Sequence, residues 1–347
     1  MGNPTISAGY PKAFLDFAVS RGADRSTLIA RSHVQADELL NQDNRIPLAN
    51  YLAMLKAGIE LCNEPALPLL FGEAVQLQDI SIVGLMGSLA GDSEEGTRQI
   101  DRYARLALDE DDPEASSPME LIREGSDVWL RSTSRSYVEN PILTESAFAR
   151  TVCGVRAMLT SIPAFANQAF PKAIRFTHKE PSYHAEYVRI FGVPIFFDSP
   201  MNAILIDEAL MQMKQPRPNP YLSELLRAHA EGLLKNLESS KSIRGRVESL
   251  LIPVLHTGEA NIDMIAGKLA ISRQTLFRKL KTEGVTFEKV LDELRHKLAL
   301  RYLNGEKVSV HETAYLVGFS DPRAFSRAFK RWTGSSPRTT RISNSNS

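Results

Sequence analysis

Two stretches near the C-terminus repeat one pattern, and few folds accommodate such a repeat. In IAGKLAISRQTLFRKLKTEG (265–284) and AYLVGFSDPRAFSRAFKRWTG (314–334), Ala266 matches Ala314, Leu269 matches Val317, Ile271 matches Phe319 and Ser272 matches Ser320, each 48 residues apart. After one inserted residue, Leu276 matches Phe325, Arg278 matches Arg327, Leu280 matches Phe329 and Lys281 matches Lys330, each 49 apart. The spacing within each copy is helical. Phe325, Phe329 and Trp332 fall on one apolar stripe, with Arg323, Arg327, Lys330 and Arg331 on the adjoining surface. Asp321 followed by Pro322 reads as an N-cap with proline at the first helical position. Gly318 can adopt the positive φ of a tight turn. Upstream, Val310, Thr313, Ala314 and Val317 share one side of a preceding short helix. In the first copy Ser272 is the expected N-cap and Leu276 and Leu280 face inward, while Arg273, Gln274, Phe277, Arg278 and Lys281 face outward. Helix, tight turn and capped basic helix is the pattern of a helix-turn-helix, here present twice.

A formal net charge of zero conceals an asymmetry. Residues 241–347 hold 19 Lys+Arg against 10 Asp+Glu, a balance of +9, and residues 1–240 hold 22 against 31, a balance of −9. A basic C-terminal part suggests a polyanionic partner, and an acidic remainder would repel it. Arginine can bond bidentately to guanine, and Gln274 can pair similarly with adenine. Phe277 either touches a thymine methyl or leans back into the core. Lysines and helix N-termini would hold phosphates and set the register. The segment FEKVLDELRHKLALRYLNG between the copies is long enough to be a rigid spacer. Two such helices on one body could enter successive major grooves of one face of double-stranded DNA, roughly 34 Å apart.

The rest of the chain reads as a separate α+β domain with a small mixed sheet. The first hundred residues read as helical. DEDDPEASS (109–117) reads as an exposed acidic loop, its Asp109, Glu110, Asp111 and Asp112 solvated. MELIREGSDVWLRSTS reads as a hairpin about Gly125-Ser126, and AIRFTHKEP, GVPIFFDSP and NAILIDEAL supply further strands. The three prolines of KQPRPNP (214–220) mark a boundary. The helix after it, with Leu222, Leu225, Leu226, Leu233 and Leu237 near the helical period, is the candidate coupling or dimer element. The expected domains are 1–213 for sensing, 214–241 for linker and coupling, 242–341 for an all-α double helix-turn-helix, and 342–347 as a disordered tail. Two cysteines, Cys62 and Cys153, in no metal or redox spacing point to a reducing cytoplasm. No signal peptide and no membrane-spanning run are expected.

The sequence resembles a known family at this point. Residues 242–341 look like the DNA-binding domain of AraC-type transcription regulators, and HETAYLVGFSDPRAFSRAFKRWTGSSPRTTR follows that family's C-terminal signature almost position by position. Its one departure is Thr340, near which an aromatic is usual. The resemblance implies base reading by Gln274, Phe277 and Arg278 in the first unit and by Arg323, Ala324 and Arg327 in the second. More loosely, roughly residues 10–212 resemble the sensor domain of the subgroup containing ornithine-utilisation and virulence-gene regulators. SIVGLMGSLAGDSEEGTRQIDRY and RFTHKEPSYHAEYVRIFGVPIFFDSPMNAILID carry that likeness, and it is not the sugar-binding cupin barrel. The resemblance implies a one-component regulator with a small-molecule effector, more often activating, and RNA polymerase as a further partner where it activates.

Other chemistries are poorly supported. His178, His184 and Glu186 lie in HKEPSYHAE, which contains a proline and lacks a fourth ligand in register, so no metal is expected. There is no phosphate-binding glycine loop, no dinucleotide fingerprint and no nucleophile elbow, so neither cofactor nor enzyme activity is expected. A DNA-alkyl-transfer module would need a cysteine flanked by proline and histidine, which neither Cys62 nor Cys153 has. A purely architectural DNA-binding protein would not need the acidic α+β half. Arg156, Arg175 and Tyr187 are candidates for an effector pocket.

Overall fold

The computed structural model describes residues 3–90, 93–110, 118–125, 127–212, 219–304 and 308–340. The chain divides into two compact units, Met1–Leu234 and Lys235–Ser347. The expected boundary segment lies largely outside the described residues, as does the polar tail.

The first unit is α+β. Its first core gathers Phe14, Leu15, Leu28, Tyr51, Leu55 and Phe71 from helices Gly9–Ser20, Arg25–Ser32, Leu48–Cys62 and Leu67–Ala74. Beside them lies a sheet that the helical reading of this region overlooks: β1 (Thr5–Ser7) is flanked by β2 (Arg45–Pro47) and β3 (Leu108–Asp109), both antiparallel, with Ile6 opposite Ile46 and Leu108. Arg45 of β2 donates to Thr5 O of β1 at 2.5 Å and to Leu106 O in the helix that leads into β3. Burial draws its guanidinium down to about 10, opposed by the nearby Asp109. The acidic stretch is therefore not all solvated. Asp109 is 4 % exposed and pairs with Arg105 at 3.3 Å. Glu110 accepts from Ser134 Oγ at 2.8 Å and Ser136 N at 2.6 Å. Asp111 and Asp112 lie outside the described residues.

The second sheet is mixed, in the order β4 (Met119–Glu124), β5 (Asp127–Ser132), β8 (Ala203–Ile206), β6 (Ala173–Arg175), β7 (Ile195–Phe196). β6 and β7 run parallel and the other pairs antiparallel. Gly125 opens the β4–β5 turn at φ +63°; Ser126 lies outside the described residues. Helices Leu67–Ala74 and Pro141–Ser161 send side chains into both cores: Phe71 and Leu143 into the first, Leu70, Phe148 and Val152 into the second. Gly72 allows their close approach, since a Cβ there would lie 2.3 Å from Ser146 O.

The second unit is all helix around one core. The spacer helix Phe287–Asn304 contributes Val290, Leu294, Leu298 and Leu303 to the cluster that holds Leu276, Leu280, Phe325 and Phe329. Helix Pro220–Lys241 straddles the division between units. Ala230 and Leu237 are buried, but its leucine face is not uniformly covered: Leu225 is 55 % exposed, and Tyr221 and Leu222 are exposed as well. No helix among the described residues is long and apolar enough to cross a membrane.

Inside the second core of the first unit, Glu145 is 2 % exposed and accepts from Tyr183 Oη at 2.9 and 3.0 Å. Burial raises its carboxyl to about 7, and the hydrogen bonds from Tyr187 and Tyr183 only partly offset this. The folded state thus keeps a proton that the unfolded chain releases near the ordinary glutamate value. The resulting stabilisation is complete below about pH 4.5 and lost as pH rises through about 7, on the order of 3 kcal/mol in all. Urea midpoints for the first unit should fall between pH 5 and 7.5, and Glu145→Gln should flatten that slope.

Candidate nucleic-acid interface

Each repeat builds one capped pair of short helices. In the first, Asn261 caps helix Ile262–Lys268, its Oδ1 accepting from Met264 N at 2.9 Å. Ser272 then caps Arg273–Thr282, its Oγ accepting from Thr275 N at 3.1 Å. In the second, Ser309 and Glu312 form a reciprocal capping box at the head of Val310–Leu316. Asp321 caps Pro322–Thr333, accepting from Arg323 N at 2.9 Å and Ala324 N at 3.2 Å. Each cap is worth about 1 kcal/mol, which matters for helices too short to persist alone in water.

The turns are equivalent, and they locate the insertion. Ile271 N donates to Ala266 O at 3.1 Å, and Phe319 N to Ala314 O at 2.9 Å. Ala270 and Gly318, also 48 apart, both adopt the left-handed conformation, at φ +54° and +81°. The caps Ser272 and Asp321 are 49 apart. The extra residue is thus Ser320, inside the second turn, and the partner of Ser272 is Asp321 rather than Ser320. Gly318 meets a further demand, because a Cβ there would lie 2.3 Å from Leu255 O. Arg295 of the spacer helix also holds this turn. It donates to Gly318 O at 3.2 Å and stacks over Phe319 at 4.8 Å. Burial lowers its guanidinium, opposed by Asp292. A lone arginine in a long amphipathic helix gave no sequence signal of this role.

In the first repeat Arg273, Gln274, Phe277, Arg278 and Lys281 are all exposed. Phe277, at 54 % exposure, does not lean back into the core. The side chains of Gln274, Arg278 and Lys281 have no hydrogen-bond or ion-pair partner among the described residues. Arg273 is held by Asp263 at 3.1 Å. In the second repeat Arg323 and Lys330 are exposed and similarly unengaged, Arg327 lies 4.0 Å from Asp321, and Ala324 is half-buried. Arg331 is tied to Asp292 of the spacer helix at 2.8 Å, an ion pair that orients it toward the scaffold. Sequence reasoning also missed a recess of about 280 Å³ lined by Lys241, Arg246, Lys279 and Glu283. There Glu283 accepts from the backbone of Ile243 at 2.7 Å and Arg244 at 3.0 Å, closing the head of helix Ile243–Leu251.

The other candidates do not assemble into a site. His178 Nε2 lies 3.4 Å from Tyr187 Oη, His184 pairs with Glu180 at 2.5 Å, and Glu186 pairs with Arg189 at 2.8 Å. The effector-pocket candidates Arg156, Arg175 and Tyr187 are each engaged within the fold. Arg156 donates to Phe170 O and Ile190 O, both at 2.7 Å, and to Phe191 O. Arg175 covers the Trp129 ring at 3.9 Å and pairs with Glu124 at 3.0 Å. Tyr187 is buried among Phe176, Phe191 and Phe197. Burial raises both the Cys62 and Cys153 thiols, which disfavours a reactive thiolate at either.

Comparison with known proteins decides the family. Residues 22–215, more than half of the chain, match the N-terminal arabinose-binding domain of AraC transcription regulators. The chain belongs to the AraC family. Residues 265–343 match a helix-turn-helix domain, covering both repeats. The ornithine utilization regulator of Pseudomonas aeruginosa is 27% identical over 338 residues, spanning 96% of this chain and 95% of its own. VirS of Mycobacterium tuberculosis is 26% identical over 171 residues, 49% of this chain and 50% of VirS. The transcriptional activator RhaS of Escherichia coli is 36% identical over 124 residues, 35% of this chain and 44% of RhaS. This AraC-family chain is a DNA-binding transcriptional regulator, and its family is one of regulators rather than enzymes.

The turns yield a paired test. Gly318→Ala must accept both the left-handed backbone, at about 1–2 kcal/mol, and the clash with Leu255 O. It should lower second-unit stability by about 3 kcal/mol or more. Ala270→Gly relieves the first penalty at the cost of chain entropy and should change stability by less than about 1 kcal/mol. Denaturant midpoints of the two full-length variants check the difference.

Proposed function

We propose that this regulator reads two successive major grooves of promoter DNA in response to a small-molecule effector. Residues 242–341 are the reader, 1–213 the sensor, and 214–241 the coupling segment. The observation that carries this reading is the pair of capped helices on one core, each presenting unengaged cations to solvent. Arg278, Gln274 and Phe277 of the first helix, with Arg323, Ala324 and Arg327 of the second, are assigned to base edges. There the small Ala324 leaves room for close approach, and Phe277 suits a thymine methyl. Lys281, Lys330 and Arg273 are assigned to phosphates. Arg331 joins them at the edge of the contact, where DNA must compete with Asp292. The excess positive charge of residues 241–347 and the acidity of the remainder favour approach of DNA to the reader alone.

Effector response is supported by the match of the N-terminal region to a ligand-binding domain and by the full-length likeness to a regulator named for ornithine utilization. Activation, with RNA polymerase as partner, is supported by the likeness of part of the chain to a regulator named an activator. Exposed Tyr221, Leu222 and Leu225 support a homodimer through helix Pro220–Lys241. The working compartment is the cytoplasm, where promoter DNA is found.

Binding to the DNA upstream of its own gene, titrated with salt against a scrambled duplex, tests the assignments. Arg278→Ala and Arg327→Ala should each lose about 1–3 kcal/mol on the specific site and relax preference at one base position. Lys281→Ala and Lys330→Ala should weaken both duplexes alike and reduce the salt slope by about 1. Unchanged isotherms for the two arginine variants would remove them from the base-reading set.

A further inference from the structure

The first core closes around a guanidinium with no opposite charge beside it. Arg150, on helix Pro141–Ser161, is 7 % exposed. Its Nη2 donates to Ser146 Oγ at 2.8 Å, and its guanidinium carbon lies 5.3 Å from the ring centres of Tyr10 and Phe71. Its Nε–H is buried without an acceptor, and it forms no ion pair among the described residues. Ring faces offset only part of the cost of burying a cation.

Arg150 lines a cavity of about 10 Å³, closed in by Tyr10, Tyr51, Leu108 and Tyr137. That is room for about one water. Burial raises the Tyr51 and Tyr137 hydroxyls, with Arg150 opposing, so both are neutral donors. Neither hydroxyl has a hydrogen-bond partner among the described residues. Glu110, which raises Tyr137 further, is engaged by Ser134, Arg135 and Ser136. A water could accept the Nε–H but would bring no charge. A dianion would leave one charge uncompensated, whereas a carboxylate matches one guanidinium and can accept from the phenols as well.

We propose that this cavity is the effector site and takes a small molecule bearing a single carboxylate, seated on Arg150 Nε with Tyr51 and Tyr137 donating to it. The assignment rests on the effector-responsive reading above. Even the carboxylate head group, three heavy atoms where there is room for one water, must part the walls, which include β1, β3 and helix Leu48–Cys62. Leu108 of β3 directly follows helix Ser93–Ala107, whose Tyr103 donates to Glu231 of helix Pro220–Lys241 at 2.5 Å. Occupancy therefore acts on the wall nearest the coupling helix.

Formate and acetate are the head group alone. With the full chain they should raise the melting temperature of the first unit saturably, above chloride at equal ionic strength. Formamide and acetamide, neutral and of the same shape, should not. Arg150→Gln should weaken the carboxylate effect at least about tenfold. Should that variant not fold, Tyr51→Phe with Tyr137→Phe, which keeps both rings, should weaken it instead. A wild-type response no greater than that to chloride overturns the site. So does an undiminished response in folded Arg150→Gln or in the double phenylalanine variant. Promoter-DNA affinity measured with and without acetate separates the two readings. Saturable, Arg150-dependent binding that leaves DNA affinity unchanged upholds the site and overturns its regulatory role.

Discussion

A ten-residue helix does not hold its direction in water by itself, so what Arg273–Thr282 presents to solvent depends on what lies beneath it. Leu276 and Leu280 lock it from below, as Phe325 and Phe329 lock Pro322–Thr333, and both pairs belong to one core with helix Phe287–Asn304. Burying a leucine or phenylalanine contributes about 1.5–3 kcal/mol, more than the caps supply. Because all four side chains belong to one cluster, neither outer helix can rotate without disturbing the packing that orients the other. If both helices read DNA as proposed, they are registered to each other on one core beforehand, which would lower the ordering cost of binding.

The turns show how a duplicated unit diverges around that constraint. Ala270 adopts a left-handed backbone at an exposed position, whereas Gly318 is pressed against Leu255 O and gripped by Arg295. The second turn carries the extra Ser320, and its contacts with the spacer helix are correspondingly more elaborate. Among the described residues, the first helix keeps its surface cations free apart from Arg273, while Arg331 of the second is drawn back to Asp292. The two heads are related in backbone and differ in how much of their basic face is committed to the scaffold.

The reader was legible in the sequence because its signals are local. Ser272, Asp321, Pro322 and the leucine and phenylalanine pairs act within one or two helical turns, and the 48-residue repeat made each copy a check on the other. The mixed sheet was legible for a similar reason, since β4 and β5 form a hairpin around a glycine. The first sheet was not. Its strands are two or three residues long, too short for an alternating pattern, and they pair across gaps of about 40 and 100 residues. Asp109 looked like loop acid because the strand it pairs with, at Thr5, is distant in sequence, although its ion-pair partner Arg105 is only four residues away. Arg150 and Arg156 occupy one helix and are indistinguishable by spacing. The first is left without an acceptor at Nε in a closed core, and the second is saturated by three carbonyls. Only the fold separates them.

An effector can shift DNA binding only if it favours one arrangement of the coupling segment over another. Helix Pro220–Lys241 meets such a requirement in the way it is attached. Within the first unit, Glu231 accepts from Tyr103 and pairs with Arg102 at 2.7 Å, and His229 reaches Asp43 at 3.0 Å. The contacts of Arg102 and His229 face solvent, where water can replace them at little cost, whereas Tyr103 is itself buried. The apolar residues nearest its start, Tyr221, Leu222 and Leu225, are left exposed instead of being buried as an anchor. A helix fixed by a large apolar face could not be released by an effector whose coupling is typically only about 1–3 kcal/mol. A helix held by a few exposed ion pairs can be. On the proposed reading, the weakness of its polar attachment is what would leave the coupling segment within reach of a small ligand.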